Sequence, residues 1–303
     1  MISVIVCTYN RSRSLATTLE SLERTSLPRE KWEVIVVDNN SDDDTQKVCE
    51  AFATKWPGHF RYFFEGRQGK PYALNTGIEN ARGEWLAFTD DDVTVEPQWL
   101  EEILSTFERY NCAGVAGKIL PDWKIAPPPR IRFEGKYRVT PGTLGHYDLG
   151  EEIRPARPLP YGANMAFRRD VFTRFGGFSP AFRRGQDTEF CNRLERHGEL
   201  ILYNPRAVVY HAINGARARA SFYQDWYFAL GRTIARLEKS SQTTKSVFGI
   251  PRYLLRQAAE HGLRWATSLQ AERRFYYKLQ LFLVCGKLAE FVQTWWGGSG
   301  DIN

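Results

Sequence analysis

Apolar and polar positions along the first 120 residues alternate between two periods. Residues 3–7 (Ser-Val-Ile-Val-Cys) form a near-continuous apolar run, the pattern of a parallel strand buried on both faces. Residues 14–27 then read as a helix, with Leu15, Leu19 and Leu22 on one face at i, i+4 and i+7. Residues 33–37 make a second buried strand that stops in the polar cluster Asp38-Asn39-Asn40-Ser41-Asp42, which can also cap a following helix. A third strand is predicted at 60–64. A helix with proline in its first turn follows at 71–81, where the missing N–H costs nothing. Residues 84–88 form a fourth strand, 97–110 a helix and 112–119 a further strand. Strand and helix alternating at this spacing predict an α/β fold with a doubly wound, mostly parallel sheet flanked by helices.

Residues 121–160 break the pattern. They hold 8 of the 15 prolines and little periodicity, which fits a loop region over a functional site or a linker between two halves. Order resumes at 161–167, and a helix is expected up to Arg196, with Phe190 and Leu194 as an apolar pair and Gly198 closing it. Residues 207–211 read as a short strand ending in His211.

Composition narrows the class. With 303 residues, 43% hydrophobic and 25% charged, the chain has material for one large core or two smaller ones. No stretch reaches the ~20 apolar residues that span a bilayer. The first residues lack a basic leader and read directly as a strand, so no secretory signal is expected. The five cysteines are scattered without CxxC spacing, which argues against a disulfide framework and against zinc. A reducing cytoplasm fits this usage, with a place at the inner face of the cell membrane as the variant.

The net charge of +6 is uneven. From residue 212 onward there are 13 Lys and Arg against 6 Asp and Glu, a net of +7. That third also carries 15 aromatics at helical spacing, and residues 273–296 combine basic, apolar and interfacial Trp and Tyr positions. This pattern fits an in-plane amphipathic helix on an anionic membrane. It fits equally a helical subdomain packed on the rest of the chain or on a second copy, and a homo-oligomer is compatible with it. No nucleic-acid-binding motif accompanies the charge. The closing Gly297-Gly298-Ser299-Gly300 reads as flexible.

The densest chemistry lies at Trp85-Leu86-Ala87-Phe88-Thr89-Asp90-Asp91-Asp92, an apolar run ending in three carboxylates. Such a strand puts concentrated negative charge at the rim of a sheet, where open α/β sheets bind ligands. Oxygen ligands suit a hard divalent cation, Mg²⁺ or Mn²⁺, which usually accompanies a phosphorylated substrate. A solvated acidic turn would look the same in isolation.

Six segments in order extend the reading. They are Val4-Ile5-Val6-Cys7-Thr8-Tyr9-Asn10-Arg11, Val36-Val37-Asp38-Asn39-Asn40-Ser41, Gly69-Lys70-Pro71-Tyr72-Ala73-Leu74-Asn75-Thr76-Gly77, Asp90-Asp91-Asp92, Gln186-Asp187 and His211. Over roughly residues 1–215 the chain resembles the inverting glycosyltransferases of family 2, with the GT-A fold. The resemblance implies a metal-dependent transfer of a sugar, hexosyl in type, from a nucleoside-diphosphate sugar (a UDP-sugar by default) to an acceptor hydroxyl. The acceptor would be a saccharide or a lipid-linked group, in cell-surface polysaccharide or glycoconjugate assembly. It divides the chain into a GT-A catalytic domain at 1–215 and a basic, aromatic-rich helical extension at 216–303. The nucleotide-sugar half would be 1–120 and the acceptor half 121–215.

Site roles follow from the same resemblance. Asp92 and Asp90 match a DXD-type motif and, with His211, would hold the metal; the imidazole mildly favours Mn²⁺. Asp90 or Asp91 would approach the ribose or a metal-bound water. Thr8 and Tyr9 would flank the nucleotide, and Asp38 would accept from the base. Arg67 and Lys70, before a helix N-terminus, suit a diphosphate. Asn164 would lie beneath the donor sugar. Asp187 is the expected general base. The family usually has Glu-Asp there, and Gln186 removes one negative neighbour. Trp123 is the candidate for acceptor contact, whereas Trp85 and Trp99 suit the core. A sugar-phosphate nucleotidyltransferase or a dinucleotide dehydrogenase would want a glycine-rich loop after the first strand, and Thr8-Tyr9-Asn10-Arg11-Ser12 has none. A non-catalytic carbohydrate- or nucleotide-sugar-binding protein on the same fold is the alternative.

Overall fold

The computed structural model describes residues 1–126, 128, 131–182, 184–239, 246–247 and 250–296. The closing glycine-rich segment lies outside them. The chain divides into two compact units, Met1–Asp122 with Leu144–Ala212, and Trp123–Thr143 with Ile213–Asn303.

In the first unit the elements run β1 Ile2–Thr8, α1 Ser12–Glu23, β2 Trp32–Asp38, α2 Thr45–Lys55, β3 Phe60–Phe64, α3 Lys70–Asn80, β4 Trp85–Asp90, β5 Val93–Val95, α4 Trp99–Arg109, β6 Gly114–Trp123, β7 Arg154–Pro155, β8 Asn164–Arg168, α5 Arg169–Phe175, α6 Gln186–Arg196 and β9 Ile201–Ile213. Among the described residues these nine strands form one sheet in the order β3-β2-β1-β4-β8-β6-β9-β5, with β7 beside β9. The β3-β2-β1-β4 half is parallel, whereas β8, β5 and β7 pair antiparallel with their neighbours. The sheet is thus mixed: the helical crossovers expected from the alternating pattern build its first half, and the continuation past β4 reverses.

The apolar runs account for the parallel half. β2 is buried along its whole length and β1 nearly so, which requires helices on both faces. Leu15, Leu19 and Leu22 of α1 are completely buried, as their spacing predicts. In the antiparallel half, Phe88, Phe167, Phe172, Phe178 and Phe190 pack together; Phe172 and Phe190 stack at 5.0 Å, and Phe178 lies 4.8 Å from Phe190. This cluster clamps α6 onto the sheet. Truncating one such ring typically costs about 3–5 kcal/mol. The clamp therefore fixes the start of α6, one turn before Phe190, with its carboxylate Asp187.

The second unit is built from α7 Ala220–Lys239, α8 Arg252–Thr267 and α9 Ala271–Trp296. Tyr223, Tyr227 and Leu279 bury against Ile131 and Val139, so part of the proline-rich region belongs to this helical core. Tyr227 Oη receives the Thr140 N–H at 2.8 Å. Trp123, expected to contact acceptor, meets Phe133 edge-on at 4.9 Å. α9 was read either as a helix lying on a membrane or as part of a packed helical subdomain. It packs against α7 and α8, with Tyr277, Leu279 and Val284 buried. Its apolar residues surround the helix rather than line one stripe, so they serve an interior. No helix among the described residues is long and apolar enough to cross a membrane.

Candidate active site

Three parallel strands end side by side. Thr8 pairs with Asp38 and Cys7 with Asp90, so the carboxyl ends of β1, β2 and β4 share one rim. The loops leaving β1 and β2 are tied together. Asn10 and Asn40 both take left-handed backbone (φ 51° and 66°), a conformation asparagine tolerates better than most residues. Ser41 Oγ accepts the Asn10 N–H at 2.9 Å, and Asn10 Oδ1 accepts the Asp42 N–H at 2.9 Å.

The three aspartates diverge in environment. Asp90 ends β4 and pairs with the Lys70 ammonium at the start of α3. Burial disfavours the Asp90 charge, but the Lys70 charge and hydrogen bond outweigh it and hold the pKa below the usual carboxylate value. Asp91 turns inward, accepting from Thr8 Oγ1 at 2.8 Å and from Arg11 at 2.9 Å. Burial pushes it up to about 6 against the Arg11 charge. Asp92 accepts from Arg11 at 3.0 Å through Oδ2. Its other oxygen, Oδ1, is buried without a hydrogen bond and lies 3.4 Å from His211 Nε2. His211 comes from β9, where it pairs with Val93 of β5 just beyond the aspartates.

The ligand atoms of Asp90, Asp92 and His211 lie within 4.8 Å of one another. Two carboxylates and an imidazole, with one carboxylate oxygen lacking a hydrogen bond, fit a divalent cation. Gly145 packs against the imidazole: a Cβ there would lie 3.0 Å from His211 Cδ2.

Lys70 links this cluster to α6. A Cβ on Gly162 would stand 3.4 Å from Asp187 Oδ2 and 3.7 Å from Lys70 Nζ, so both groups crowd one glycine. Burial works against the Lys70 ammonium, yet Asp90 more than compensates and raises its pKa. Asp187 accepts the Gly162 N–H through Oδ2 and the Thr188 N–H through Oδ1, each at 2.8 Å. Thr188 Oγ1 also donates to Oδ1, at 3.4 Å, so Oδ2 is the oxygen that keeps a lone pair for a further donor.

On the β2 side, Asp38 is buried and accepts from Ser41 N at 2.9 Å and Tyr62 Oη at 3.0 Å. Tyr9 stands half exposed at the rim. Arg67 is engaged by Glu65 and lies 4.8 Å over the Tyr72 ring.

Asn164 is the exception. It was expected beneath the donor sugar, but it is completely buried. Its amide donates to the Lys118 and Ala207 carbonyls at 2.9 and 2.8 Å, and its oxygen accepts from Trp99 Nε1 at 2.8 Å. It joins α4, β6 and β9 in the core, which explains why a polar residue stands inside an apolar strand. Arg11, Glu65 and Gly145 were not singled out by role from the sequence. Arg11 at least sat inside the first motif, while Gly145 carries no local signal.

Residues 3–176, more than half of the chain, match the family described as Glycosyl transferase family 2. The chain belongs to this family. Within glycosyl transferase family 2, it is 34% identical over 224 residues to the glucosyl-dolichyl phosphate glucuronosyltransferase of Haloferax volcanii, covering 70% of this chain and 69% of that one. It is 30% identical over 240 residues to the succinoglycan biosynthesis protein ExoM of Rhizobium meliloti, covering 78% and 74%. Its fold is similar to that of the mannosyltransferase PcManGT of Pyrobaculum calidifontis, solved in complex with GDP-Man and Mn²⁺ (TM-score 0.66, 20% identity, 97% of this chain and 87% of that one). The fold is accordingly GT-A, and the family 2 chain is a glycosyltransferase.

Proposed function

We propose that this glycosyltransferase is metal-dependent and inverting, moving a sugar from a nucleoside-diphosphate sugar to an acceptor hydroxyl. The observation that carries this reading is the Asp90–Asp92–His211 cluster, with Lys70 standing between it and Asp187. Asp92, Asp90 and His211 would hold the divalent cation, with Mn²⁺ favoured by the imidazole and by the Mn²⁺ complex of the PcManGT neighbour. Such a cation, when bound, neutralises charge that grows on the departing diphosphate. Thr8 and Tyr9 flank the nucleotide, and Asp38 presents an acceptor to its base. Lys70 stands at the N-terminus of α3, a cationic place for the diphosphate. Asp187 takes the proton of the acceptor hydroxyl as its oxygen attacks the anomeric carbon. The bond from that carbon to the diphosphate oxygen breaks, and its electron pair leaves with the diphosphate. One displacement inverts the centre.

The donor is a UDP-sugar by default, although the GDP-Man complex of PcManGT makes a guanosine donor the first alternative to assay. The acceptor is a saccharide or a lipid-linked sugar in cell-surface glycoconjugate assembly, supported by the dolichyl-phosphate and succinoglycan names of the two relatives. Work at the inner face of the cell membrane follows from such an acceptor.

The test is a panel of nucleotide sugars with Mn²⁺, Mg²⁺ or EDTA, run on the wild type, Asp92→Ala and Asp187→Asn. The expected outcome is nucleotide release with one donor, abolished by EDTA and by Asp92→Ala. Asp187→Asn should bind donor normally but transfer about 10²–10⁴-fold more slowly, the usual worth of a general base. No turnover of any donor with any metal would leave a non-catalytic sugar-nucleotide binder.

A further inference from the structure

α8 has two unlike faces. On one, Leu254 is fully buried, Tyr253 Oη donates to Glu238 at 2.8 Å, and the His261 ring stacks on Tyr277 at 6.2 Å. On the other, Leu255, Ala259, Leu263 and Ala266 follow at i, i+4, i+8 and i+11, and all four are exposed. Leu263 is 66% exposed, and Leu269, just past the helix end, is 100% exposed. Scattered exposed leucines need no explanation, but a continuous stripe along one helix does.

The surroundings of the stripe are basic. Arg252 and Arg256 stand exposed beside it, one turn apart, and neither has an ion pair among the described residues. The acid on this side, Glu260, is paired with Arg264 at 2.8 Å. The wider region from residue 212 carries a net charge of +7.

We infer that the exposed face of α8, with Leu269, docks on an anionic lipid surface. An apolar stripe alone would suit a protein groove as well. Arginines alongside it without an ion pair among the described residues, and a strongly positive region, select a surface that is apolar within and negative at its rim. α8 lies in the plane of that surface. At 16 residues it is about 24 Å long, less than the ~30 Å of a hydrocarbon core. This surface sharpens the proposed lipid-linked acceptor and rests on that reading for its purpose, while its own evidence is independent of the catalytic residues.

The experiment is co-sedimentation of the full chain with vesicles of phosphatidylcholine alone or of phosphatidylcholine mixed with phosphatidylglycerol, at low and high salt. The variants are Leu263→Glu with Leu269→Glu, and Arg252→Glu with Arg256→Glu. All four side chains are exposed, and thermal unfolding checks that both variants fold. The wild type should bind the phosphatidylglycerol vesicles and release them as salt rises. Each double variant should lose about tenfold or more of that binding, the loss in the arginine pair disappearing at high salt. Wild type that stays in the supernatant with phosphatidylglycerol overturns the inference, as does equal sedimentation of all three proteins. So does a dimer that the leucine variant dissociates while vesicle binding is unchanged, because the stripe would then belong to a second copy. Donor hydrolysis without vesicles, expected unchanged in both variants, reads the catalytic proposal separately.

Discussion

Replacing Gly145 with alanine should weaken the metal site from behind while leaving every proposed ligand in place. Gly145 has φ +65°, a left-handed conformation that costs an alanine roughly 1–2 kcal/mol. The new Cβ would lie 3.0 Å from His211 Cδ2 and 3.1 Å from Cγ, where ordinary contact begins at 3.4 Å. The imidazole is only 5% exposed and its Nε2 lies 3.4 Å from Asp92 Oδ1, so a ring shift of about 0.3–0.5 Å away from the new Cβ disturbs its place beside the aspartate. Metal–ligand distances tolerate only about 0.2 Å, and disturbed supports of a ligand typically cost 10–100-fold in affinity. The expectation is a Tm lower by about 2–8 °C and Mn²⁺ binding weaker by about tenfold, read from free Mn²⁺ by electron paramagnetic resonance without nucleotide. Gly145→Asn separates the two effects. Asparagine tolerates the left-handed backbone, so the stability loss should shrink while the loss of Mn²⁺ affinity remains. Unchanged Mn²⁺ affinity in both folded variants would refute the reasoning, since His211 would then not be a ligand held in position by Gly145.

Two further outcomes concern stability. Glu65 is held down to about 2, first by the Arg67 hydrogen bond and then, against opposing burial, by Thr76 and the Arg67 N–H. Its folded value lies below the unfolded 4.5, so its contribution is complete above pH 5 and fades as pH falls toward 2. Because Arg67 is 68% exposed and screened, the contribution is about 1–2 kcal/mol. Urea unfolding of the wild type and Glu65→Gln should differ by that amount at pH 7, draw together below pH 5 and converge only near pH 2; parallel curves would remove the argument. In the second unit, Gly231 of α7 and Gly286 of α9 face each other's helix so closely that a Cβ on either would press into a backbone carbonyl, of Leu283 or Phe228. Helix propensity alone favours Gly286→Ala by about 1 kcal/mol. Parting two helices costs more, and a net loss of about 2 kcal/mol is expected. A raised Tm would show that the helices do not cross at these glycines.

The placement of much of the candidate site was legible because its signals are local. Each of Thr8, Asp38 and Asp90–Asp92 follows directly on a buried run, and a parallel strand delivers its C-terminal residue to the sheet rim whatever its neighbours are. Asp187 was legible through the helix it opens. Asn164 misled for the opposite reason: a polar residue in an apolar strand looks the same whether it faces a ligand or bridges three core elements. Arg11 and Gly145 owe their place to chain distant in sequence, from residues 91–92 and 211.

What the sequence determined by itself, then, is most of the strand and helix pattern of the first 120 residues, though not α2 or β5, together with the family and the acidic rim, since periodicity and short motifs encode them residue by residue. Tertiary structure alone decided the reversal of the sheet after β4, the pairing of the aspartates with Arg11 and Lys70, and the exposed face of the C-terminal helices. α9 and α8 both read as basic and aromatic. Which of them turns its leucines outward depends on how the helices pack, and packing is a property of neighbours that lie far away along the chain.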